Sequence, residues 1–454
     1  MKTRMNFKDE FYQKLKLLVL PIAIQNFMLA LVSATDAIML GWIDQTSLSA
    51  VSLAGQVQFV LSLFISGIAA GAGIMAAQYW GKQDAASIEK VIPIALRTNL
   101  LFSGLFTILA GFCPEILMRI FTNDAALVAS GSQYLRAVAL SYVLCGISQV
   151  YLILLKNTGH AAVSSRISST AVVLNIILNA ILIYGLCGAP ALGIRGAAYA
   201  TVAARVVELI WAYLETKKPE RVRILWNRLF SSAGKILSED FWRYTLPVLA
   251  ASLVWGIAYV LYSVIMGHMG SDAVAANSIT SIAKSLLSCL IRGVSGGAGV
   301  LIGNLLGANE LEKAREYGRR LSHLSIAIGI VTGGLLMLIS PAIVHFAPLS
   351  DTAAEYLQYM LLFCGLNLMA QSVNTTVLDG IFCAGGDAKF DMQGNIGAMW
   401  CFSVPVGFLA AFWLKLPVMV VYCIVNLDEI VKLPAVYLHY KKYVWVRNIT
   451  RDIE

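Results

Sequence analysis

The chain has 454 residues, of which 58% are hydrophobic and 13% are charged, and its mean hydropathy is +0.73. Soluble globular domains carry roughly 25% charged residues, so this composition excludes a soluble protein and indicates a multi-pass membrane protein. The formal net charge of +8 gathers in short loops on one side of the predicted spans. That distribution is typical of membrane topology and argues against nucleic acid as a partner.

Apolar stretches long enough to cross a bilayer core of about 30 Å recur along the whole chain. The first follows a basic N-terminal segment, is too long for a signal peptide and lacks a small-residue cleavage site, so we expect it to be retained. The polar connection 216–241 is basic with interspersed apolar residues, and we expect an amphipathic helix on the membrane surface there. The twelve predicted spans are 17–43, 51–79, 92–112, 130–155, 163–186, 194–215, 242–268, 276–304, 319–342, 354–383, 392–413 and 417–440.

The second half of the chain repeats the first at an offset of 226 residues, so that Pro21 falls on Pro247. An even number of spans in each half gives both halves the same orientation in the membrane. We therefore predict an all-α fold of two six-helix bundles related by a parallel pseudo-two-fold axis, with a cleft between them. The predicted domains are an N-terminal bundle over 1–215, a cytoplasmic linker over 216–241, and a C-terminal bundle with its tail over 242–454. The matched glycines are Gly67, Gly71, Gly73 and Gly81 with Gly293, Gly297, Gly299 and Gly307.

Most of the 34 lysines and arginines lie in segments that are cytoplasmic if the N-terminus is inside the cell. Cytoplasmic loops of membrane proteins carry this excess of positive charge. The sequence therefore predicts a plasma (inner) membrane protein with both termini in the cytoplasm.

Several stretches resemble the multidrug and toxin extrusion (MATE) family. They are the repeated Gly-rich elements GIAAGAGIMAAQYWGKQD and GVSGGAGVLIGNLLGANE, and LNIILNAILIYG followed by LGIRGAAYATVAAR. The spacing from Pro21 to Asp36 to Gly41 is also similar. The resemblance implies a sodium- or proton-coupled antiporter that exports organic, often cationic amphiphiles by rocker-switch alternating access. It implies no cofactor beyond the coupling ion.

Asp36 is the first candidate for the coupling site because a carboxylate deep within a span is costly without a partner, a cavity or a proton. Its repeat counterpart is Tyr262, so we expect coupling in the N-terminal half alone. Asn175 and Asn179 are four residues apart and share one helix face, and amide oxygens suit sodium. The resemblance adds Thr201 to this site. It also marks Asn179 as a departure, since the family commonly has Asp there. A structural polar contact between helices is the alternative role for each of these four residues.

The second set of candidates lies in the C-terminal half. Lys284 and Arg292 are eight residues apart within one broad face of a predicted span. They are expected to line the substrate cavity or to neutralise a carboxylate, and they would disfavour a plain cationic substrate. Asn374 and Asp379 lie in the tenth span, where the family often has a functional carboxylate.

Four functions remain open at this stage, and the antiporter is favoured. Basic cavity residues also fit a flippase for lipid-linked precursors, with a related two-bundle architecture. A membrane-embedded enzyme lacks any recognisable catalytic motif, and a channel or receptor does not explain a carboxylate confined to one half. We expect a monomer that contacts the lipid bilayer and a small-molecule substrate.

Overall fold

The computed structural model describes residues 7–41, 45–224, 229, 234–347 and 349–452, and within these ranges every regular element is a helix. This confirms the predicted all-α class. Helices satisfy every backbone polar group internally, as a chain that crosses hydrocarbon must.

In the first half, the aspartates Asp84 and Asp124 cap the starts of two helices, and a glycine ends another. The Asp124 carboxylate accepts the backbone N–H groups of Ala126 and Leu127, which caps the helix that follows. Gly185 ends another helix with a left-handed φ of +73°. The helices are α1 (Phe7–Gly41), α2 (Gln45–Gly81), α3 (Ala85–Phe112), α4 (Pro114–Arg119), α5 (Ala125–Leu155), α6 (Ala161–Tyr184) and α7 (Ile194–Thr216).

The second half departs more often from regular α-helix. Three π-helical segments occur here, Thr376–Phe382, Ile396–Ser403 and Leu409–Trp413, and such segments are frequent at functional sites. The α-helices are α8 (Lys235–Gly267), α9 (Ser271–Gly307), α10 (Leu311–Phe346), α11 (Asp351–Thr375), α12 (Ala388–Asn395), α13 (Val404–Phe408), α14 (Val418–Val425) and α15 (Asp428–Tyr440).

Ten segments of the described chain are long and apolar enough to cross a membrane. One of them, Ala125–Tyr184, covers two predicted spans because the π-helical turn Lys156–His160 joins α5 to α6. The predicted span 417–440 is broken between α14 and α15. The expected linker helix is wrong over 217–224, where Pro219 follows the end of α7 and the chain forms turns. Trp226 and Phe230 of that expected helix lie outside the described residues.

The chain divides into two compact units. The N-terminal unit is Phe27–Leu249, and the C-terminal unit combines the residues through Asn26 with Ala250–Asp452. Residues 7–26 of α1 therefore belong to the C-terminal unit, and residues 235–249 of α8 belong to the N-terminal unit. The domain boundaries at 215 and 242 stay a prediction.

Glycines of α2 bring it very close to α8 inside the N-terminal unit. A Cβ on Gly67 would lie 2.9 Å from the Leu249 Cα, and a Cβ on Gly71 would lie 2.7 Å from the Thr245 Cα. Only glycine permits this backbone approach, as in GxxxG contacts between membrane helices.

The C-terminal unit repeats this contact with the repeat-related residues. A Cβ on Gly293 would lie 2.9 Å from the Ala23 Cα, and one on Gly297 would lie 2.9 Å from Val19 Cγ2. Thus α9 packs on α1 as α2 packs on α8, and the repeat seen in the sequence is also a repeat of helix contacts.

The C-terminal tail folds back onto the C-terminal unit. Trp445 is fully buried, and the Arg447 Nε donates to the Gly385 carbonyl at 2.7 Å. A Cβ on Gly385 would overlap the backbone of Trp445, so the tail fits only against a glycine at this position.

Candidate functional site

The four residues of the predicted coupling site lie together in the N-terminal unit, on α1, α6 and α7. The Asn179 amide donates to Asp36 Oδ1 at 2.6 Å and to Asn175 Oδ1 at 3.3 Å. The Asn175 amide donates to the Thr201 hydroxyl at 3.3 Å, and that hydroxyl donates to the Ala197 carbonyl at 3.0 Å. One hydrogen-bonded chain therefore connects all four side chains.

Close contacts hold α6 in place for this cluster. The Tyr184 hydroxyl donates to the Met39 carbonyl at 2.7 Å, which ties the end of α6 to α1. The N–H of Leu192 donates to the Leu182 carbonyl at 2.9 Å, and Gly196 at the start of α7 lies against the same carbonyl without room for a Cβ. The position of Asp36 relative to α6 and α7 is thus fixed by the backbone as well as by side chains.

The oxygens of this cluster fit a proton or a small hard cation. Asn179 is only 1% exposed, and its Oδ1 has no hydrogen-bond donor among the described residues. A buried acceptor left without a donor is costly, and a cation, a water molecule or a protonated neighbour would satisfy this oxygen. Carboxylate, amide and hydroxyl oxygens are suitable ligands for sodium. No group of three or more His, Cys, Asp or Glu side chains in the described ranges is placed to hold a metal ion.

Lys284 and Arg292 of the C-terminal unit do not share one environment, although both lie on α9. The Lys284 ammonium donates to Asn367 Oδ1 at 2.9 Å, and the Asn367 amide donates to the Asn426 carbonyl at 2.6 Å. Lys284 therefore tethers α9 to α11. Arg292 is exposed, and no hydrogen bond or ion pair is recorded for it within the described part of the chain.

Asn374 and Asp379 also differ in their surroundings. The Asn374 amide is buried and donates to both the backbone carbonyl and the carboxylate of Glu429, each at 2.7 Å. Its Oδ1 is buried without a donor among the described residues. Asp379 lies in the π-helical segment Thr376–Phe382 and is exposed.

The spacing of Asp428 and Lys432 predicts a structural pair within one helix, and the structure extends this pair into a buried network that the sequence does not reveal. The Lys432 ammonium lies 3.1 Å from Glu429 Oε1, 3.2 Å from Asn395 Oδ1 and 3.6 Å from Asp428 Oδ2. The Asn395 amide in turn donates to Asp391 Oδ1 at 3.2 Å. Two pairs at four-residue spacing, Asp391 with Asn395 and Asp428 with Lys432, were the available signal, but spacing does not reveal that their helices meet.

The MatE family model matches the chain twice, over residues 21–181 and 247–409. The chain belongs to the MATE family. The two matches begin at Pro21 and Pro247, the pair that marked the repeat in the sequence. The chain is therefore a membrane transporter of a multidrug efflux family and not an enzyme.

Curated relatives and solved structures agree with this assignment. The uncharacterized transporter YisQ of Bacillus subtilis is 20% identical over 94% of each chain. The probable multidrug resistance protein NorM of Thermotoga maritima is 24% identical over 90% of this chain and 87% of its own. A solved MOP superfamily transporter from Pyrococcus furiosus is 19% identical over 97% of this chain and 96% of its own and superposes with a TM-score of 0.86. That likeness shows the MATE transporter fold.

Proposed function

We propose that this chain is a cation-coupled antiporter that exports organic amphiphilic compounds by rocker-switch alternating access. Sodium ions or protons that enter the cell would drive the export. We further propose that it acts as a monomer in the plasma membrane, with both termini and the linker in the cytoplasm. Family membership supports efflux, and the positive charge of the loops supports the orientation.

The observation that carries the coupling proposal is the Asp36 cluster. Asp36 accepts the hydrogen bond at one end of this chain, and its donor is the side-chain amide of Asn179. The other atom of that amide group, Asn179 Oδ1, has no donor among the described residues. A cation or proton at these oxygens removes the cost of a bare carboxylate at low dielectric. Because α1, α6 and α7 each contribute to the cluster, its occupancy biases how these helices pack. If two conformations of the carrier differ in ion affinity, the bound ion shifts the equilibrium toward the tighter-binding conformation, and the shift grows with the difference in affinity.

The flippase alternative is not favoured. It depended on Lys284 and Arg292 acting together on a pyrophosphate, and the Lys284 ammonium is hydrogen-bonded to Asn367. The similarity to probable multidrug resistance proteins favours export of small molecules instead.

Transport by Asp36→Asn in proteoliposomes tests this proposal, with a sodium or a proton gradient imposed one at a time. The substitution keeps the size of the side chain but abolishes its charge. We expect normal insertion, partial survival of substrate binding and loss of gradient-driven export. Asp124→Asn is the matched control because Asn caps a helix as well as Asp does. Wild-type export by Asp36→Asn at normal expression would eliminate Asp36 and direct attention to Asp379.

A further inference from the structure

Helix α9 exposes a polar stripe at the depth of the membrane. Ser278, Ser285 and Arg292 are all exposed and are spaced by seven residues, which is two helical turns and therefore one face. Arg292 lies in the middle third of this 37-residue helix. A guanidinium that faces lipid at such depth is costly, so charged side chains there face protein or water. Arg292 is therefore expected to face a water-accessible recess of the C-terminal unit, although Val274 and Ile282 are also exposed on this face.

The neighbouring π-helical segment supplies the other wall of this recess. The Ser295 hydroxyl, one turn after Arg292, donates to the Thr375 carbonyl at 2.9 Å. A Cβ on Gly380 would lie 2.9 Å from the Ser295 carbonyl oxygen, so the two backbones nearly touch. Asp379 directly precedes Gly380 at this contact, and Arg292 lies about one turn before Ser295. Asp379 is exposed, as Arg292 is.

Arg292 and Asp379 influence each other electrostatically, but the structure records no ion pair between them within the described residues. Asp379 also lies within electrostatic reach of Asp391, Glu429 and Lys432. Those three groups belong to the buried network, where Lys432 pairs with Glu429 and Asp391 binds an amide. The N–H donors of Arg292 are therefore available to a ligand in the recess.

We propose that Arg292 binds an oxyanion group of the exported compound, so that the substrates are organic anions or zwitterions rather than plain organic cations. The guanidinium presents five N–H donors in a planar fork that matches a carboxylate, sulfonate or phosphate group bidentately. Among the described residues Asp379 makes no ion pair with Arg292, and its negative charge opposes a bound substrate anion by electrostatic repulsion. The inference rests on the proposed export function and names its substrate class.

The repeat limits this binding to one half of the transporter. The residue that corresponds to Arg292 in α2 is Ser66, which is exposed but uncharged. Lys284, the other cation of α9, is held by Asn367 and does not add to the site. One guanidinium therefore selects one anionic group, and the rest of the compound is recognised elsewhere.

Two dyes that share a xanthene ring but differ in charge test the proposal. Export of carboxyfluorescein and of rhodamine 6G is measured in proteoliposomes, and binding of each dye to the purified protein is measured by fluorescence polarisation. We expect the wild type to export carboxyfluorescein. Arg292→Gln should bind it at least tenfold more weakly and export it correspondingly slowly, whereas its handling of rhodamine 6G should be unchanged or improved.

Further variants separate charge from folding. Arg292→Lys keeps the charge but loses the planar array of donors, so its affinity for carboxyfluorescein should lie between those of the wild type and Arg292→Gln. Asp379→Asn should bind carboxyfluorescein more tightly, because a carboxylate that opposes the anion is removed. Arg136→Gln removes an exposed arginine of α5 and is the control. Inhibition of dye binding by benzoate or by phenyl phosphate distinguishes a carboxylate from a phosphate preference, and either supports the proposal.

Several results would overturn the inference. The first is that Arg292→Gln binds carboxyfluorescein as tightly as the wild type does. The second is that neither benzoate nor phenyl phosphate inhibits dye binding. The third is that the wild type exports rhodamine 6G but not carboxyfluorescein, which would leave the proposed gradient-driven export intact. A wild type that moves neither dye under either gradient would instead refute the export function together with this inference.

Discussion

Replacing Lys432 by Met should destabilise the protein, because it leaves carboxylates buried without their counter-charge. The side chain of Lys432 is only 5% exposed, and its ammonium lies 3.1 Å from Glu429 Oε1 and 3.6 Å from Asp428 Oδ2. Removing one partner of a buried ion pair costs about 3–5 kcal/mol, since the remaining charge has lost both water and partner. We expect the free energy of unfolding to fall by about this amount.

Lys218 offers a matched control outside the buried network. It also pairs with a glutamate three residues earlier, Glu215, at 2.8 Å, but its side chain is 57% exposed. Exposed ion pairs contribute about 0–1 kcal/mol, so Lys218→Met should have little effect. The contrast between the two substitutions isolates burial, because the spacing and the residue types are the same.

Denaturation of the purified variants in detergent micelles, followed by helical circular dichroism, measures these differences. The double variant Lys432→Met with Glu429→Gln should recover part of the loss, because it removes a charge from each side of the pair. The reasoning is refuted if Lys432→Met unfolds at the same denaturant concentration as Lys218→Met. Lys432 would then not be the group that balances the buried carboxylates.

Three further predictions concern packing and topology. Gly71→Ala should lower the free energy of unfolding by about 1–3 kcal/mol through overpacking, whereas Gly104→Ala, whose Cβ meets no atom within 4 Å, should be neutral or stabilising in the same denaturation series. Gly385→Ala should displace the backbone of Trp445 and speed proteolysis of the C-terminal tail, and an unchanged cleavage pattern would contradict this. A cysteine in place of Arg447 in a cysteine-free background should be labelled only from the cytoplasmic side, and labelling from outside would overturn the proposed orientation.

The coupling cluster shows how far sequence reasoning reaches a site. Four-residue spacing predicts that Asn175 and Asn179 share a face of one helix, and the 3.3 Å hydrogen bond between them agrees. The partner of Asn179 across the unit is Asp36, which lies 143 residues earlier in the chain. No local pattern encodes such a contact, and only the family resemblance joined these residues before the structure was available.

The two cations of α9 show where the sequence fails. Lys284 and Arg292 fall within one broad helix face by their spacing, and the sequence assigns them a common role. In the structure the Lys284 ammonium donates to Asn367, whereas Arg292 is exposed. The neighbouring helices decide this difference, because they bring an amide acceptor to Lys284 and none to Arg292 within the described residues.

The sequence by itself determined the membrane class, the all-α fold and the two-fold repeat. These depend on composition and period, since a chain in hydrocarbon must pair its backbone within each helix and an apolar stretch shows directly in the sequence. Only the tertiary structure shows that α2 packs on α8, and α9 on α1, through matched glycines. It also shows that the Lys432 ammonium contacts two carboxylates and one amide oxygen. Such contacts join segments far apart in the chain, and their energy comes from shape and charge that exist only once the helices are packed.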